Sequence, residues 1–321
     1  MQEIETLFSP RFVEKLMQNF APKSVFLVQS VEVFEIDNSA SILVTLASGN
    51  STKQIGHFGL AVAYTENGMP KEQKMVMKVK PHSTEITTML NALAQACGGT
   101  LAEIYPAYQH LTGFHHTHQR EQEIYKNLPS TLTPLIFGTY SDTEQDIYLI
   151  LMEYLENVEL LNAVMNPDSF SDLHIKTVLQ QMANWHAKNL QENLPLDKNF
   201  WTDCPSESYM QQLIPLWKAL LQNVSQHFPQ LYSLERTHLL EKAISYIPDY
   251  WKVLEKIPKT LIHNDLNPRN ICFKIHDGQL NLCTYDWELA TFHIPQYEIV
   301  EFLCFVLDEN RYHLRKTYAE F

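Results

Sequence analysis

Hydrophobic and polar positions change their period along the chain, and these changes predict a sheet followed by mainly helical structure. SPRFVEKLMQNF predicts a first helix, with Ser9 as N-cap, Pro10 in the first turn and an apolar face beyond it. The next stretch is rich in Val, Ile and Phe, which predicts an antiparallel sheet over about residues 25–80, with TENGMPKEQ as a hairpin loop.

After the sheet the pattern becomes helical from Ser83 to Leu128, and LIFGTY with IYLILMEYL predicts another strand pair. Residues 157–258 have a helical pattern interrupted by prolines. A hairpin turning at Asp277-Gly278 and a helix from about residue 295 complete the order. This order predicts an α+β fold with two lobes, an antiparallel sheet lobe over residues 1–152 and a mainly helical lobe over residues 153–321.

Composition and charge exclude several classes of protein. The apolar fraction of 45% is enough for a hydrophobic core, and the net charge of -13 disfavours nucleic-acid and anionic-membrane partners. The N-terminus lacks the pattern of a signal peptide, and no apolar run reaches the roughly 20 residues that span a bilayer, so we expect a cytoplasmic protein. The five cysteines are scattered and form no CxxC pair, which argues against a disulfide framework or a zinc ribbon.

Candidate chemistry is concentrated in the segment LIHNDLNPRNICF, residues 261–273. His263, Asp265 and Asn270 fit H-x-D-x-x-x-x-N, the loop pattern of protein kinases, and Asp286 follows 21 residues after Asp265. The hairpin would return Asp286 to this loop. Carboxylate and amide oxygens are hard ligands suited to Mg²⁺. The pattern therefore predicts a magnesium-dependent phosphoryl-transfer site.

Such a site also needs a strand lysine paired with a helix glutamate. In KMVMKVK we prefer Lys78, with Lys80 on the same side of the strand as the alternative. In the following helix we prefer Glu121 over Glu123, because Glu121 borders the apolar stripe.

Two further segments are candidates for nucleotide contacts. A phosphate-covering loop is expected between the first two strands, in ASGNSTKQIG with Ser48, Gly49 and Asn50, or else in IDNSAS. Backbone groups of Glu153, Tyr154 and Leu155 could pair with adenine.

Four segments together resemble the aminoglycoside phosphotransferase and choline kinase-like superfamily, small-molecule relatives of the protein kinases. They are LIHNDLNPRN, TYDWELA, NWHAKNL and PQYEIVEFLCF, and the resemblance extends from about Val25 to Phe305. LFSPRFVEKLM and REQEIYKNLP are closer to the ecdysteroid-kinase-like and choline-kinase-like branch.

The resemblance implies a protein-kinase-like fold, ATP and Mg²⁺, and transfer of phosphate to a hydroxyl of a small molecule. It also implies site roles: Asp265 as catalytic base, His263 as organiser of its loop, Asn270 and Asp286 as metal ligands, and Lys78 with Glu121 as the nucleotide pair. Three features depart from the family pattern. Asn264 stands where most members have Gly, Glu298 stands where Asp is common, and the stretch between Lys78 and Glu121 is longer than usual.

Several alternatives remain open from sequence. A catalytically silent nucleotide-binding or scaffold protein could keep the fold, and a protein kinase is disfavoured because DW replaces D-F-G and no A-P-E-like segment follows. The acidic span from Leu151 to Ile175 favours a cationic or amine-bearing acceptor, against the alternative of an ordinary solvated face. His115, His116 and His118 are interpreted as a polar loop rather than a metal site.

Overall fold

The computed structural model describes residues 7–37, 55–161, 166–190 and 194–321. Its N-terminal sheet contains the strands β1 (Phe26–Phe34), β2 (Gly56–Glu66), β3 (Met69–Lys80), β4 (Ile136–Asp142) and β5 (Ile147–Glu153). They are antiparallel in the order β1-β2-β3-β5-β4, which places β3 at the centre. The α+β prediction is confirmed, since a mainly helical part follows this sheet. The lobe boundary at residues 152 and 153 stays a prediction.

Helix α1 (Pro10–Phe20) packs on this sheet and begins as the sequence predicts. The Ser9 hydroxyl accepts a hydrogen bond from the backbone N–H of Phe12 at 3.3 Å. A Cβ added at Gly138 on β4 would lie 2.4 Å from Cγ of Leu16, so a glycine there allows the helix to approach closely. The apolar face of α1 is buried in the core of this lobe through Val13, Leu16 and Met17.

The turn between β2 and β3 is tighter than the predicted loop. The two strands pair until Glu66 lies opposite Met69, and only Asn67 and Gly68 form the turn, with φ angles of 52° and 81°. An Asn-Gly pair favours such a two-residue turn, because both positions need a positive φ. The prediction of a loop over TENGMPKEQ is therefore wrong in extent, since most of these residues belong to the strands.

The helices of the rest of the chain are α2 (Ser83–Cys97), α3 (Gly99–Tyr108), α4 (Thr117–Asn127), α5 (Asp172–Lys188), α6 (Glu207–Gln212), α7 (Ile214–His227), α8 (Leu234–Ser245), α9 (Ile247–Leu254), α10 (Pro295–Val306) and α11 (Arg315–Glu320). Helices α2 and α3 account for the long stretch between Lys78 and Glu121. They pack against α7, so this insertion reaches from the sheet to the helical part. The shared core contains Ala94, Leu101, Tyr105, Leu213, Leu216 and Ala219.

Five short strands complete the helical part: β6 (Val158–Glu159), β7 (Thr260–Ile262), β8 (Ile271–His276), β9 (Gln279–Thr284) and β10 (Thr291–His293). The β8-β9 hairpin turns at Asp277-Gly278 as predicted. Strand β6 pairs with β8, although β6 lies within residues 157–258, which were predicted to be helical. Strand β7 pairs with β10. These pairings bring the segments after β7 and after β9 together. None of the helices in the described ranges has both the length and the apolar character needed to cross a membrane.

Candidate active site

The segment between β7 and β8 carries the predicted catalytic residues and is anchored by the fully buried Glu298 on α10. Glu298 Oε1 accepts hydrogen bonds from the backbone N–H groups of His263 at 2.5 Å and Asn264 at 3.2 Å, and its Oε2 lies 2.5 Å from His186 Nε2. The buried His263 ring places Nε2 2.9 Å from the carbonyl oxygen of Tyr285. His263 therefore links the loop to the segment before Asp286, a position that suits the predicted organising role.

Asn264 accommodates the departure from the family's glycine in two ways. Its φ of 61° lies in the left-handed region, which Asn tolerates better than most residues. Its Nδ2 donates to the carbonyl oxygen of Leu289 at 2.9 Å. His263 connects the loop to the segment before Asp286, and the Asn264 side chain connects it to the segment after Asp286.

Asp265 is held by two amide groups from its own loop. Asn267 Nδ2 donates to Asp265 Oδ1 and Asn270 Nδ2 donates to Oδ2, both at 2.7 Å. Burial raises the pKa of the Asp265 carboxyl above its ordinary value, and the hydrogen bond from Asn267 opposes that shift. The arrangement fixes the orientation of the carboxylate that a general base requires.

Asn270 and Asp286 could hold a metal ion. The Nδ2 of Asn270 is directed to Asp265, which leaves its amide oxygen for a cation. The Asp286 side chain is 37% exposed, and its residue has a φ of 67°, a conformation found at functional sites. A carboxylate and an amide oxygen form a donor set that fits Mg²⁺.

Lys78 connects the central strand to both Glu121 and Asp286. Its Nζ lies 2.7 Å from Glu121 Oε2 and 2.6 Å from Asp286 Oδ1. Burial opposes ionisation of Asp286, but the ammonium groups of Lys78 and Lys80 outweigh burial and hold the pKa of this carboxyl well below its ordinary range. The structure therefore brings Lys78, Glu121 and Asp286 into contact, as the predicted roles require. Glu123 lies elsewhere and accepts from the backbone of Asp197.

Lys80, the alternative lysine, also reaches Glu121. Its Nζ lies 2.5 Å from Glu121 Oε2 and 3.0 Å from Glu288 Oε2. Oxygen atoms of Glu121, Asp286 and Glu288 all lie within 4.8 Å of one another, a spacing that could hold a cation. The ammonium groups of Lys78 and Lys80 contact these carboxylates. Of the three, Asp286 is the most exposed, and it follows the segment that His263 joins to the predicted catalytic loop.

The predicted nucleotide contacts are only partly described. Ser48, Gly49 and Asn50 lie outside the described residues. The backbone N–H of Glu153 donates to the Leu135 carbonyl at 2.8 Å, and that of Tyr154 donates to the Lys74 carbonyl at 3.1 Å. Both groups are already engaged within the protein. The prediction that backbone groups of Glu153, Tyr154 and Leu155 pair with adenine therefore rests on the Leu155 N–H and on the carbonyl groups.

The acidic span from Leu151 to Ile175 does not form an unpaired acidic entrance. Each of its acidic side chains in the described ranges lies within 4 Å of a basic group. The pairs are Glu153 with Lys274, Glu156 with Lys74, Glu159 with His174, Asp168 with Arg311, and Asp172 with Lys176. The span therefore gives no support to a preference for cationic acceptors.

Sequence reasoning missed three features of the site. The first is Asn267, whose spacing of two from Asp265 was a signal in the sequence. The second is the contact between Lys80 and Glu288, which no spacing rule predicts. The third is His57 on β2, which lies opposite Lys78 in the strand pairing and so shares its side of the sheet. Burial and the Lys78 ammonium lower the pKa of His57 to about 4, so its ring is neutral near neutral pH.

Comparison with known proteins identifies the family. The sequence model described as the phosphotransferase enzyme family matches residues 93–320. The chain belongs to the phosphotransferase enzyme family. This membership confirms the resemblance found in LIHNDLNPRN and TYDWELA. A search of curated proteins finds no match to this phosphotransferase.

Solved structures similar to this phosphotransferase have low identity. The GDP complex of wild-type aminoglycoside 2'-phosphotransferase-IIIa is 14% identical, covers 98% of this chain and 83% of its own, and has a TM-score of 0.46. ADP-bound aminoglycoside phosphotransferase APH(2'')-Ib is 13% identical, with 91% and 81% covered and a TM-score of 0.40. Plasmodium vivax ethanolamine kinase is 12% identical, with 94% and 69% covered and a TM-score of 0.42. Since these TM-scores are below 0.5, the family assignment rests on the sequence match.

Proposed function

We propose that this phosphotransferase moves the γ-phosphate of ATP to a hydroxyl group of a small molecule, with Mg²⁺ bound by Asn270 and Asp286. One observation carries the proposal: the predicted catalytic, metal-binding and nucleotide-binding side chains lie together in one site. Asn270 Nδ2 donates a hydrogen bond to Asp265 Oδ2 at 2.7 Å, and Lys78 Nζ lies 2.6 Å from Asp286 Oδ1. Phosphoryl transfer depends on positioning and on charge stabilisation, which this set of groups can supply.

Each residue has a role that follows from its contacts. Asp265, oriented by Asn267 and Asn270, would accept the proton of the acceptor hydroxyl. Lys78 would turn from Asp286 to the phosphates of the nucleotide while keeping its contact with Glu121. A bound Mg²⁺ supplies positive charge that neutralises the phosphate oxygens. Ser48, Gly49 and Asn50 stay predicted contacts of the phosphates, and Leu155 a predicted contact of the base.

A cationic or amine-bearing alcohol is the acceptor class we favour, on evidence from α10. Glu301 Oε2 accepts from the backbone N–H of Leu266, the residue after Asp265, at 3.2 Å. One helical turn earlier, the half-exposed Tyr297 ring stacks on His293 with a centroid distance of 4.9 Å. A carboxylate that contacts the residue next to Asp265, with aromatic rings one helical turn away from that carboxylate, is a set of groups that attracts a cation. A cytoplasmic location also stays a prediction.

The test is Mg²⁺-dependent ADP release with a panel of acceptors: choline, ethanolamine, aminoglycosides, neutral sugars, sterols and peptides. We expect turnover with one class of small alcohol. Asp265→Ala should keep nucleotide binding in a thermal-shift titration and lose about 10²–10⁴ in rate. Glu241→Ala, at an exposed carboxylate on α8, is the matched control and should behave as wild type.

Any one of three results would overturn the proposal. Unchanged turnover in Asp265→Ala would remove the catalytic assignment. A folded wild-type protein that neither binds nor consumes nucleotide would instead favour a catalytically silent protein. Phosphorylation of peptides alone would exclude a small-molecule acceptor.

A further inference from the structure

Two lysines on the same side of β3 have different environments. The Lys78 side chain is 11% exposed and the Lys80 side chain is 1% exposed. Lys78 contacts Asp286, whose side chain is partly exposed, and Lys80 contacts Glu288, which is buried. Among the described residues the Lys80 ammonium is therefore enclosed, and its ion pairs are with Glu121 and Glu288.

The partners of Lys80 come from two separate parts of the chain. Glu121 lies on α4, and Glu288 lies in the 3-10 turn Trp287–Leu289 that directly follows Asp286. Helix α4 packs against this turn. One ammonium group at 2.5 Å from Glu121 and 3.0 Å from Glu288 thus joins β3, α4 and residues 286–290, which we call the metal-binding segment because it begins with the proposed metal ligand Asp286.

Glu121 needs a partner that does not depend on the nucleotide. Its carboxylate is completely buried, and Oε2 is shared by Lys78 and Lys80, whereas Oε1 has no hydrogen-bond partner among the described residues. A buried carboxylate without a cation is strongly unfavourable. When Lys78 engages phosphates, part of its charge is directed away from Glu121. Lys80 keeps its position, because both of its contacts are internal.

We propose that Lys80 is a positioning residue that holds α4 against the metal-binding segment before any nucleotide binds. The site is then assembled in the free protein, and Lys78 can exchange Asp286 for phosphate without loss of the Glu121 position. This inference rests on the proposed function only for the role of Lys78 toward the nucleotide.

Hydrogen exchange of the nucleotide-free, metal-free protein tests the proposal directly. We expect Lys80→Met to raise amide exchange in α4 and in residues 286–290 by at least about tenfold, because a buried ion pair is broken. Lys78→Met should leave the exchange in α4 close to wild type, since Lys80 still holds Glu121. Residues 286–290 are left out of this comparison, because Lys78 itself contacts Asp286. Lys71→Met, at a largely exposed lysine on the same strand, is the matched control.

Kinetics then separate positioning from plain destabilisation. Below its melting temperature, Lys80→Met should raise the KM for nucleotide and lower kcat, and Lys80→Arg should restore most of both. A loss of thermal stability with unchanged kcat and KM would show a merely structural role and overturn the proposal. Unchanged exchange in α4 would also overturn it.

A second variant covers the case in which Lys80→Met does not fold. Glu288→Gln keeps the shape of the side chain and weakens its contact with Lys80, so amide exchange in α4 should still rise. Exchange equal to that of wild type would refute the positioning role of Lys80. Because exchange is measured without nucleotide, the two proposals can fail separately. If the wild-type protein consumes no ATP while Lys80→Met shows faster exchange, the proposed function is rejected and the positioning role of Lys80 is supported.

Discussion

Asn267 offers the sharpest test of the catalytic role proposed for Asp265. Asn267→Ala removes the amide donor 2.7 Å from Asp265 Oδ1 and leaves Asn270 as the donor to Oδ2. A hydrogen bond to a charged group contributes about 1.5–3 kcal/mol. Since about 1.4 kcal/mol is a factor of ten in rate, we expect kcat/KM to fall by roughly 10- to 150-fold. This is a smaller loss than that expected for Asp265→Ala, because the base itself remains.

The pH dependence should change in a defined direction. The hydrogen bond from Asn267 lowers the pKa of Asp265, so its removal raises that pKa further above the ordinary value. The base must be unprotonated to act, so the acidic limb of the kcat/KM profile should move to higher pH. The measurement is the pH profile of steady-state transfer under saturating nucleotide.

Asn267 also caps the turn that follows, and a second variant separates the two roles. Its Oδ1 accepts from the backbone N–H of Arg269 at 3.0 Å, and loss of such a cap costs about 1 kcal/mol of stability. Asn267→Asp keeps this acceptor, loses the donor and adds a negative charge beside Asp265. Its activity should be lower than that of Asn267→Ala at the same pH, although the cap is retained. Asn281→Ala, at an exposed hairpin position, is the control. Rates within twofold of wild type in both Asn267 variants would refute the reasoning.

Three other perturbations test separate parts of the site. Because burial raises the pKa of Glu301 to about 7, the KM for a cationic acceptor should fall as pH rises through that value, and Glu301→Gln should remove this dependence. Glu298→Ala leaves the backbone donor of His263 buried without its acceptor and should lower the free energy of unfolding by about 3 kcal/mol or more in urea titrations. Chelation of divalent cations should abolish turnover, and Asn270→Ala or Asp286→Asn should raise the Mg²⁺ concentration needed for half-maximal rate.

The Glu301 prediction has a matched control, and all three predictions have a contrary outcome. Glu309→Gln, at an exposed carboxylate after α10, should keep the wild-type acceptor KM at every pH. An acceptor KM that does not vary with pH in the wild type would separate Glu301 from acceptor binding. Full activity after chelation would contradict the assignment of Asn270 and Asp286, and a wild-type unfolding midpoint in Glu298→Ala would contradict its anchoring role.

The contacts within residues 263–270 could be predicted because they are local. His263, Asp265 and Asn270 lie within eight residues, and the Asp277-Gly278 turn fixes how the hairpin returns Asp286. Short-range rules of spacing and turn chemistry are sufficient for such a unit. The tight Asn67-Gly68 turn was equally local, and the same rule would have found it.

Long-range pairings could not be predicted from spacing. Lys78 and Lys80 lie on the same side of the strand and both contact Glu121, and their different partners Asp286 and Glu288 distinguish them. The span from Leu151 to Ile175 was predicted to be an acidic surface that favours cationic acceptors. Its partners Lys74, Lys274 and Arg311 come from distant parts of the chain, so the sequence of the span does not reveal them. A charge pattern in one segment does not reveal a partner that tertiary structure supplies.

Helix α4 is fixed by contacts at two adjacent positions, Arg120 and Glu121. Arg120, the neighbour of Glu121, is buried and donates from Nε to the carbonyl of Phe200 at 2.7 Å and from its Nη2 to Asp203, both in the helical part. Glu121 faces the sheet and contacts Lys80. Displacement of α4 would break buried ion pairs at two adjacent positions, and loss of one partner of such a pair costs about 3–5 kcal/mol. On the proposed function, a nucleotide would meet a helix that is already attached to both parts of the fold, and its binding free energy would not be needed to assemble the site.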